Sequence, residues 1–371
     1  MTFYETLKRI DDEDFKRREK EFKLQPLDRI IKYLPNPSLN MRKKITCAHR
    51  DFEEIATAIA QKEDWATISG LNPSGPLHFG HKTVFDEVIW LQQQGAEAYI
   101  PVTDDETYLV GKTNTMAESR KNAHEEVIPS LIALGLKPEK THIWVDSEYK
   151  DIYNLSMKLS KKLTYSTCEA VFGFKGETNP GTIFYRSAVQ LAAITLPQLE
   201  EFGGPKATAV PVGIDQDPYI MLIRDIIKKE GLRPPSGIYL HFLHGLDGKG
   251  KMSKSRSESV IHLNEDPKTA KAKIMSGFTG GRPSIKEQKI YGGNPDICPI
   301  FSLDDFHFTD TKEAEKIYND CKSGSLTCGE HKQRLVEKVQ KFLGEHKEKK
   351  EKAKNEIEKY MLDVPLNSLF K

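Results

Sequence analysis

The sequence predicts an α/β protein: a parallel sheet covered by helices, interrupted by a helical insertion and followed by a C-terminal α-helical domain. Three observations predict it. Short β-prone apolar segments recur at residues 66–70, 98–103, 142–146, 207–214 and 238–243. Helical stretches at 83–94, 116–134 and 218–230 lie between them, the alternation expected of parallel strands joined by crossover helices. After residue 261 the strand pattern stops, and Gly-rich turns (GFTGGRPS, YGGNPD) and helices replace it.

In chain order, residues 1–46, which include Pro26, Pro35 and Pro37, read as an N-terminal basic arm made of a helix and an extended linker. Residues 47–260 read as the sheet domain. Within it, about 107–199 hold more helix than one crossover needs, including an amphipathic stretch at 152–163, which predicts an insertion serving as a cap or a dimer surface. Residues 261–371 form a separate helical domain ending in a long helix. There Leu335, Val339, Phe342, His346, Ala353 and Ile357 recur near the 3.6-residue period, a stripe that packs while the lysines of KEKKEKAK face water.

Composition narrows the function classes. The 371 residues are 38% apolar and 29% charged, enough for a sizeable core in two or more domains. No apolar run approaches the ~20 residues of a membrane helix, which excludes a membrane-spanning role. The N-terminus carries both signs of charge without an apolar signal stretch, and the five cysteines are odd in number and scattered. A reducing compartment, the cytoplasm, is therefore expected. The net charge of +1 hides an excess of +5 in residues 1–50 and +4 in residues 331–371, with −8 between them. Basic ends predict contact with a polyanion such as RNA, a solvated helix face being the alternative.

Two segments carry chemistry. Residues 69–81, SGLNPSGPLHFGH, follow a predicted strand and open a predicted helix. Their glycines let the backbone approach a ligand, the helix N-terminus presents free N–H groups to an anion, and His78 and His81 offer ring donors to phosphate oxygens. Residues 248–255, GKGKMSKS, form a Gly-rich loop in which Lys251 and Lys254 suit a mobile cationic clamp, with Ser253 and Ser255 beside them. Cys298, Cys321, Cys328, His307 and His331 lack zinc-site spacing, so no metal site is expected.

Together the two segments resemble the paired signatures of class I aminoacyl-tRNA synthetases: His78-Phe-Gly-His81 is similar to HIGH, and residues 251–255 match KMSKS. The resemblance covers residue 48 to the end. It implies a Rossmann-like ATP-binding domain, an insertion, a helical anticodon-binding domain, a tRNA partner and a homodimer. His78, His81, Lys251 and Lys254 are the implied catalytic residues. Gly70, Asn72, Pro73, Gly80, Gly213, Asp215, Met252 and Ser253 are the implied ATP contacts, with Mg²⁺ accompanying the nucleotide.

Residues 213–219 (GIDQDPY), 103–106 (TDDE), 172–174 (FGF) and 291–296 (YGGNPD) are similar to tryptophanyl-tRNA synthetases of archaeal and eukaryotic type. This implies a tryptophan–tRNA ligase acting on L-tryptophan and tRNA(Trp), with Glu106, Gln190 and Gln216 holding the substrate's ammonium and carboxylate. The chain departs from the eukaryotic members where a Tyr and a Gln read the indole N–H: Ile68 and Pro101 stand there, so another group must do so. No stretch is long enough for an editing site. None is needed for a large side chain with its own N–H, which a fitted pocket discriminates steeply. A tyrosine–tRNA ligase and a non-catalytic, synthetase-like RNA-binding protein are the alternatives.

Overall fold

The computed structural model describes residues 3–254 and 256–370. At its centre lies a seven-stranded sheet of β1 (Gln25–Pro26), β2 (Thr46–Arg50), β3 (Trp65–Ile68), β4 (Glu97–Val102), β5 (Thr141–Val145), β6 (Ala207–Gly213) and β7 (Ser236–Leu240). The strand order is β1-β2-β7-β6-β3-β4-β5. The five strands from β7 to β5 run parallel, and their residues are almost all buried, as expected when helices cover both faces.

From β3 the chain builds outward through β4 and β5, then returns to place β6 on the other side of β3, with Ala66 opposite Glu97 on one side and Thr208 on the other. This reversal opens a crevice beyond the C-terminal ends of β3 and β6, where ligands bind in open α/β sheets. Both segments of residues 69–81 and 213–219 begin there.

Thr46–Arg50 was not expected as a strand. It pairs antiparallel with β7, His49 opposite Ile238, and β1 pairs with it in turn, so the sheet reaches into the segment read as an arm. Its mixed polarity hid it, because one strand's worth of residues buries only against a neighbour remote in sequence. The helix expected at 116–134 forms as Met116–Asn122, a π-helical turn at Ala123–Val127, and Ile128–Ala133. Pro129 explains the wide turn: its ring would crowd the carbonyl four residues earlier in a regular helix.

The C-terminal helices do not own a separate core. Ile300, Phe301, Leu335, Val339 and Leu343 belong to one buried cluster with Leu71, Phe79, Ile100 and Val102 of the sheet region. The chain's end also returns to the sheet edge: Leu362 N–H donates to the Ile143 carbonyl at 2.7 Å, and Ile143 N–H donates to Tyr360 at 2.8 Å. On the long helix Cys328–Ala353, Leu335, Val339, His346 and Ala353 are buried and Phe342 is half-buried, while Ile357 lies beyond the helix in a short 3₁₀ turn. One lysine of the run read as water-facing is buried: Lys350 is 6% exposed and pairs with Glu126 at 2.6 Å. Among the described residues no helix is long and apolar enough to cross a membrane.

Candidate active site

A cavity of about 580 Å³ occupies the crevice. Two close approaches shape its floor and rim. A Cβ on Gly70 would lie 2.7 Å from the Pro101 ring, and one on Gly213 would lie 2.5 Å from the Phe242 ring, so both turns need glycine to pass their neighbours. Gly80, Asp215, Gln190 and Gln216 also line the cavity, as do Ile68, Pro101, Ala193, Ile194 and Val210, which form an apolar wall.

The two histidines differ in position. His78 precedes the helix Phe79–Gln93, and its backbone N–H donates to His81 Nδ1 at 3.2 Å. With Nδ1 accepting, the neutral His81 ring carries its proton on Nε2. The rings stack at 3.8 Å between centroids. Burial holds His78 near a pKa of about 3 and pushes His81 well below the usual histidine value, aided by His78 and Lys254. Both are therefore neutral donors rather than cations at physiological pH. His81 lines the cavity; His78 lies behind it, outside the lining, with Nδ1 unpartnered and buried.

The TDDE stretch divides its labour. Asp104 accepts from the Ser147 N–H at 3.0 Å and the Ser147 hydroxyl at 2.5 Å, and Asp105 accepts from Glu106 N–H and the Tyr153 hydroxyl, both at 2.7 Å. Burial raises Asp105 to about 6. Of its three carboxylates only Glu106 reaches the cavity, with Thr103 beside it. Asn72 Nδ2 donates to Glu106 Oε2 at 2.6 Å and to Thr103 Oγ1 at 2.7 Å, while Asn72 Oδ1 accepts from Lys112 Nζ at 2.6 Å. Arg186 Nε lies 3.4 Å from Glu106 Oε1, so both carboxylate oxygens are fixed. Pro73 is buried in the adjoining turn and does not line the cavity.

The lysine loop stands on a small hairpin: Met252, itself buried, donates its N–H to Leu243 at 2.7 Å, and Gly245 N–H donates to Gly250 at 3.0 Å. Lys251 Nζ pairs with Asp215 at 3.2 Å and lies 5.0 Å from the Phe242 ring centroid. Lys254 crosses to the opposite turn, donating to the Gly75 carbonyl at 2.8 Å and Ser74 Oγ at 3.3 Å. Burial, then the Lys112 ammonium, lowers Lys254 to about 8. Ser253 follows Met252 in this loop, and Ser255 lies outside the described residues.

Sequence reasoning missed Lys112, Arg186, Tyr185 and Tyr219, all on the cavity wall. Lys112 is a single lysine after the Asp104–Leu109 helix, and Arg186 and Tyr185 sit in a π-helical turn, so none belongs to a recognisable string. Tyr219 had an indirect signal: it stacks on Phe172 at 4.9 Å and 13°, and Phe172 on Phe174 at 5.2 Å.

Cys298, Cys321, Cys328 and His331 converge on a second, narrow cavity in the helical region. Among the described residues no grouping of three or more His, Cys, Asp or Glu side chains has the geometry to hold a metal ion, and His331 Nε2 is engaged with Asp304 at 2.9 Å.

Residues 60–344 match the sequence family described as tRNA synthetases class I (W and Y). The tryptophan–tRNA ligase of Pyrobaculum aerophilum is 39% identical over 362 residues, covering 95% of this chain and 96% of the relative. That of Methanocaldococcus jannaschii is 42% identical over 347 residues, covering 92% and 93%. Among solved structures, tryptophanyl-tRNA synthetase from Aeropyrum pernix K1 superposes with a TM-score of 0.88 at 35% identity, covering 96% of this chain and 98% of that one.

Proposed function

The chain belongs to the class I tRNA synthetases of the tryptophan and tyrosine type and functions as a tryptophan–tRNA ligase; from that premise we propose how its residues divide the reaction. Tryptophan's carboxylate oxygen attacks the α-phosphorus of ATP, the bond to the bridging oxygen breaks, and pyrophosphate leaves. The tryptophanyl group then passes from the adenylate to the terminal ribose hydroxyl of tRNA(Trp), releasing AMP.

The protein contributes position and charge rather than a covalent nucleophile. Glu106, fixed on both oxygens, and Gln190 receive the α-ammonium, and Gln216 orients the carboxylate. The indole lies against the wall of Ile68, Pro101, Ala193, Ile194 and Val210, which takes the face of a large ring, while the group that reads its N–H stands apart from that wall. Gly70, Asn72, Pro73 and Gly80 shape the first nucleotide turn, Gly213 and Asp215 the second, and Met252 and Ser253 the loop above. His81 Nε2–H donates to phosphate, and His78 fixes the His81 ring. Lys251 and Lys254 follow the leaving pyrophosphate as its charge develops. Mg²⁺ would accompany ATP, neutralising the charge of its triphosphate.

The observation that carries this division is the junction of a carboxylate-bearing apolar pocket with a lysine loop closed across a glycine turn. Tryptophan-dependent ATP–pyrophosphate exchange tests it, with tyrosine in parallel. Lys251→Ala and Lys254→Ala are each expected to slow exchange about 10²–10³-fold with little change in tryptophan affinity. Near-wild-type single-turnover rates in both variants remove the clamp.

We also assign the exposed apolar side chains Met157, Tyr165 and Met221, 66%, 55% and 39% exposed, to contact with a second copy in a homodimer. Sedimentation of the wild type and of Met157→Glu separates dimer from monomer. The cytoplasm is the assigned compartment, in keeping with five free cysteines.

A further inference from the structure

Asp11 stands immediately before the helix Asp12–Glu21, the place where an aspartate ordinarily caps its own helix. It makes no such bond. Its carboxylate instead reaches across to the chain leaving β7: Oδ2 accepts the Phe242 N–H at 3.0 Å, and Oδ1 meets His241 Nδ1 at 2.9 Å. Both side chains are nearly buried, at 9% and 7% exposure. Burial works against charge on His241, but Cys47 and Asp11 together raise it to about 10, so the contact is an ion pair.

What Asp11 holds is the root of the lysine hairpin. His241 and Phe242 lead from β7 to Leu243, whose carbonyl receives Met252 N–H. The Phe242 ring is wedged between Gly213, which has no room for a Cβ there, and the Lys251 ammonium 5.0 Å from its centroid. The other end of the arm is anchored on the helical region: Tyr4 donates to Asp305 at 2.7 Å, Arg9 pairs with Asp305 at 3.1 Å, and Lys43 is buried against Asp305 and Thr309. The arm thus spans from the helix Pro299–His307 to the base of the loop.

We infer that Asp11 is a positioning residue for adenylate formation: by fixing His241 and the Phe242 backbone it seats the Phe242 ring beneath Lys251 and so aims the loop at the departing pyrophosphate. A carboxylate withdrawn from its own cap has local helix stability to lose and a tertiary contact to gain. That contact ends on a residue touching both sides of the nucleotide site. The inference rests on the assignment of Lys251 above.

The test is a double-mutant cycle in tryptophan-dependent pyrophosphate exchange with Asp11→Asn, Phe242→Leu and Lys251→Ala, each also melted thermally. Asp11→Asn and Phe242→Leu are expected to lower kcat by about tenfold or more while tryptophan KM moves less than about twofold. In the Lys251→Ala background, Asp11→Asn should add less than about twofold, because its effect runs through that lysine. Phe242→Leu leaves the Asp11 bonds in place, so it reports on the ring even if Asp11→Asn folds poorly. Full, independent losses from Asp11→Asn and Lys251→Ala, or a tryptophan KM that rises with the fall in kcat, overturn the inference by indicating a general structural role. A slow Lys251→Ala enzyme beside an unaffected Asp11→Asn overturns this inference alone. Wild-type rates in Lys251→Ala overturn the clamp and this inference with it.

Discussion

Lys254, assigned above to the leaving pyrophosphate, shows how a cation is held out of water. Its ammonium is desolvated and sits near Lys112, which depresses its pKa from 10.5 to about 8. Between those two values the unfolded chain binds a proton that the folded one has lost, so this residue's contribution to stability improves as pH rises through that window and is least favourable below about 8. Lys254→Met should therefore melt higher than wild type at pH 7 while forming adenylate more slowly. In the same enzyme, kcat/KM for ATP should fall as pH rises through about 8 and the variant should lack that limb, since this ratio reports the free enzyme's groups. A flat wild-type profile there would place the ammonium elsewhere. Glu106 makes the complementary case for the amino acid. Glu106→Gln removes the charge assigned to the ammonium but keeps the size, and the lost charged hydrogen bond, about 1.5–3 kcal/mol, should raise tryptophan KM roughly ten- to a hundredfold with ATP KM unchanged. Equal rises in both constants would count against the pocket assignment. Glu106 was legible in TDDE and Asn72 in the glycine turn, but their bond to each other was not, nor were Lys112 and Arg186, because these residues come from separate segments.

The long helix Cys328–Ala353 shows what periodicity can and cannot reveal. Its apolar stripe was readable, since Leu335 and Val339 bury at the expected spacing. Lys350 was not: it lies on the same face, one turn past His346, whose Nε2 meets Ser130 Oγ at 2.8 Å. A lysine among lysines carries no sign that its partner, Glu126, is 224 residues away. The two exposures set the expected magnitudes. Lys350→Glu leaves two like charges at a nearly dry contact and should cost about 2–3 kcal/mol, less than a wholly buried pair because Glu126 is partly exposed. Lys347→Glu, on the solvated face, should change stability by no more than about 0.5 kcal/mol. Urea unfolding of both variants checks the contrast; equal midpoints would mean the ion pair contributes nothing.

Across the whole molecule, the basic excess of residues 331–371 and the exposed Lys286, Lys289, Ile290 and Tyr291 of the neighbouring helix Ile285–Tyr291 offer two surfaces for tRNA. Paired charge reversals at Lys347 with Lys349, and separately at Lys286 with Lys289, should spare pyrophosphate exchange. Whichever surface binds RNA should lose aminoacylation and show a shallower salt dependence, by about one unit of slope per phosphate contact removed. No loss from either pair would take the tRNA off both surfaces, and a parallel loss of exchange would signal damage to the fold.

The sequence by itself determined the alternation of strands and helices along the chain, the two glycine turns and the lysine loop. Each depends on residues close together in the chain, whose spacing sets local geometry and whose chemistry can be read in place. Tertiary structure alone decided that Thr46–Arg50 completes the sheet, that His78 stands behind His81, that the helical region shares the sheet's core, and that Asp11 reaches the base of the loop. Each of these depends on which distant surfaces exclude water together. Burial of that kind follows from the topology of the whole chain, in which a polar residue such as Asp11 or Lys350 can find its partner only after the strands have been placed.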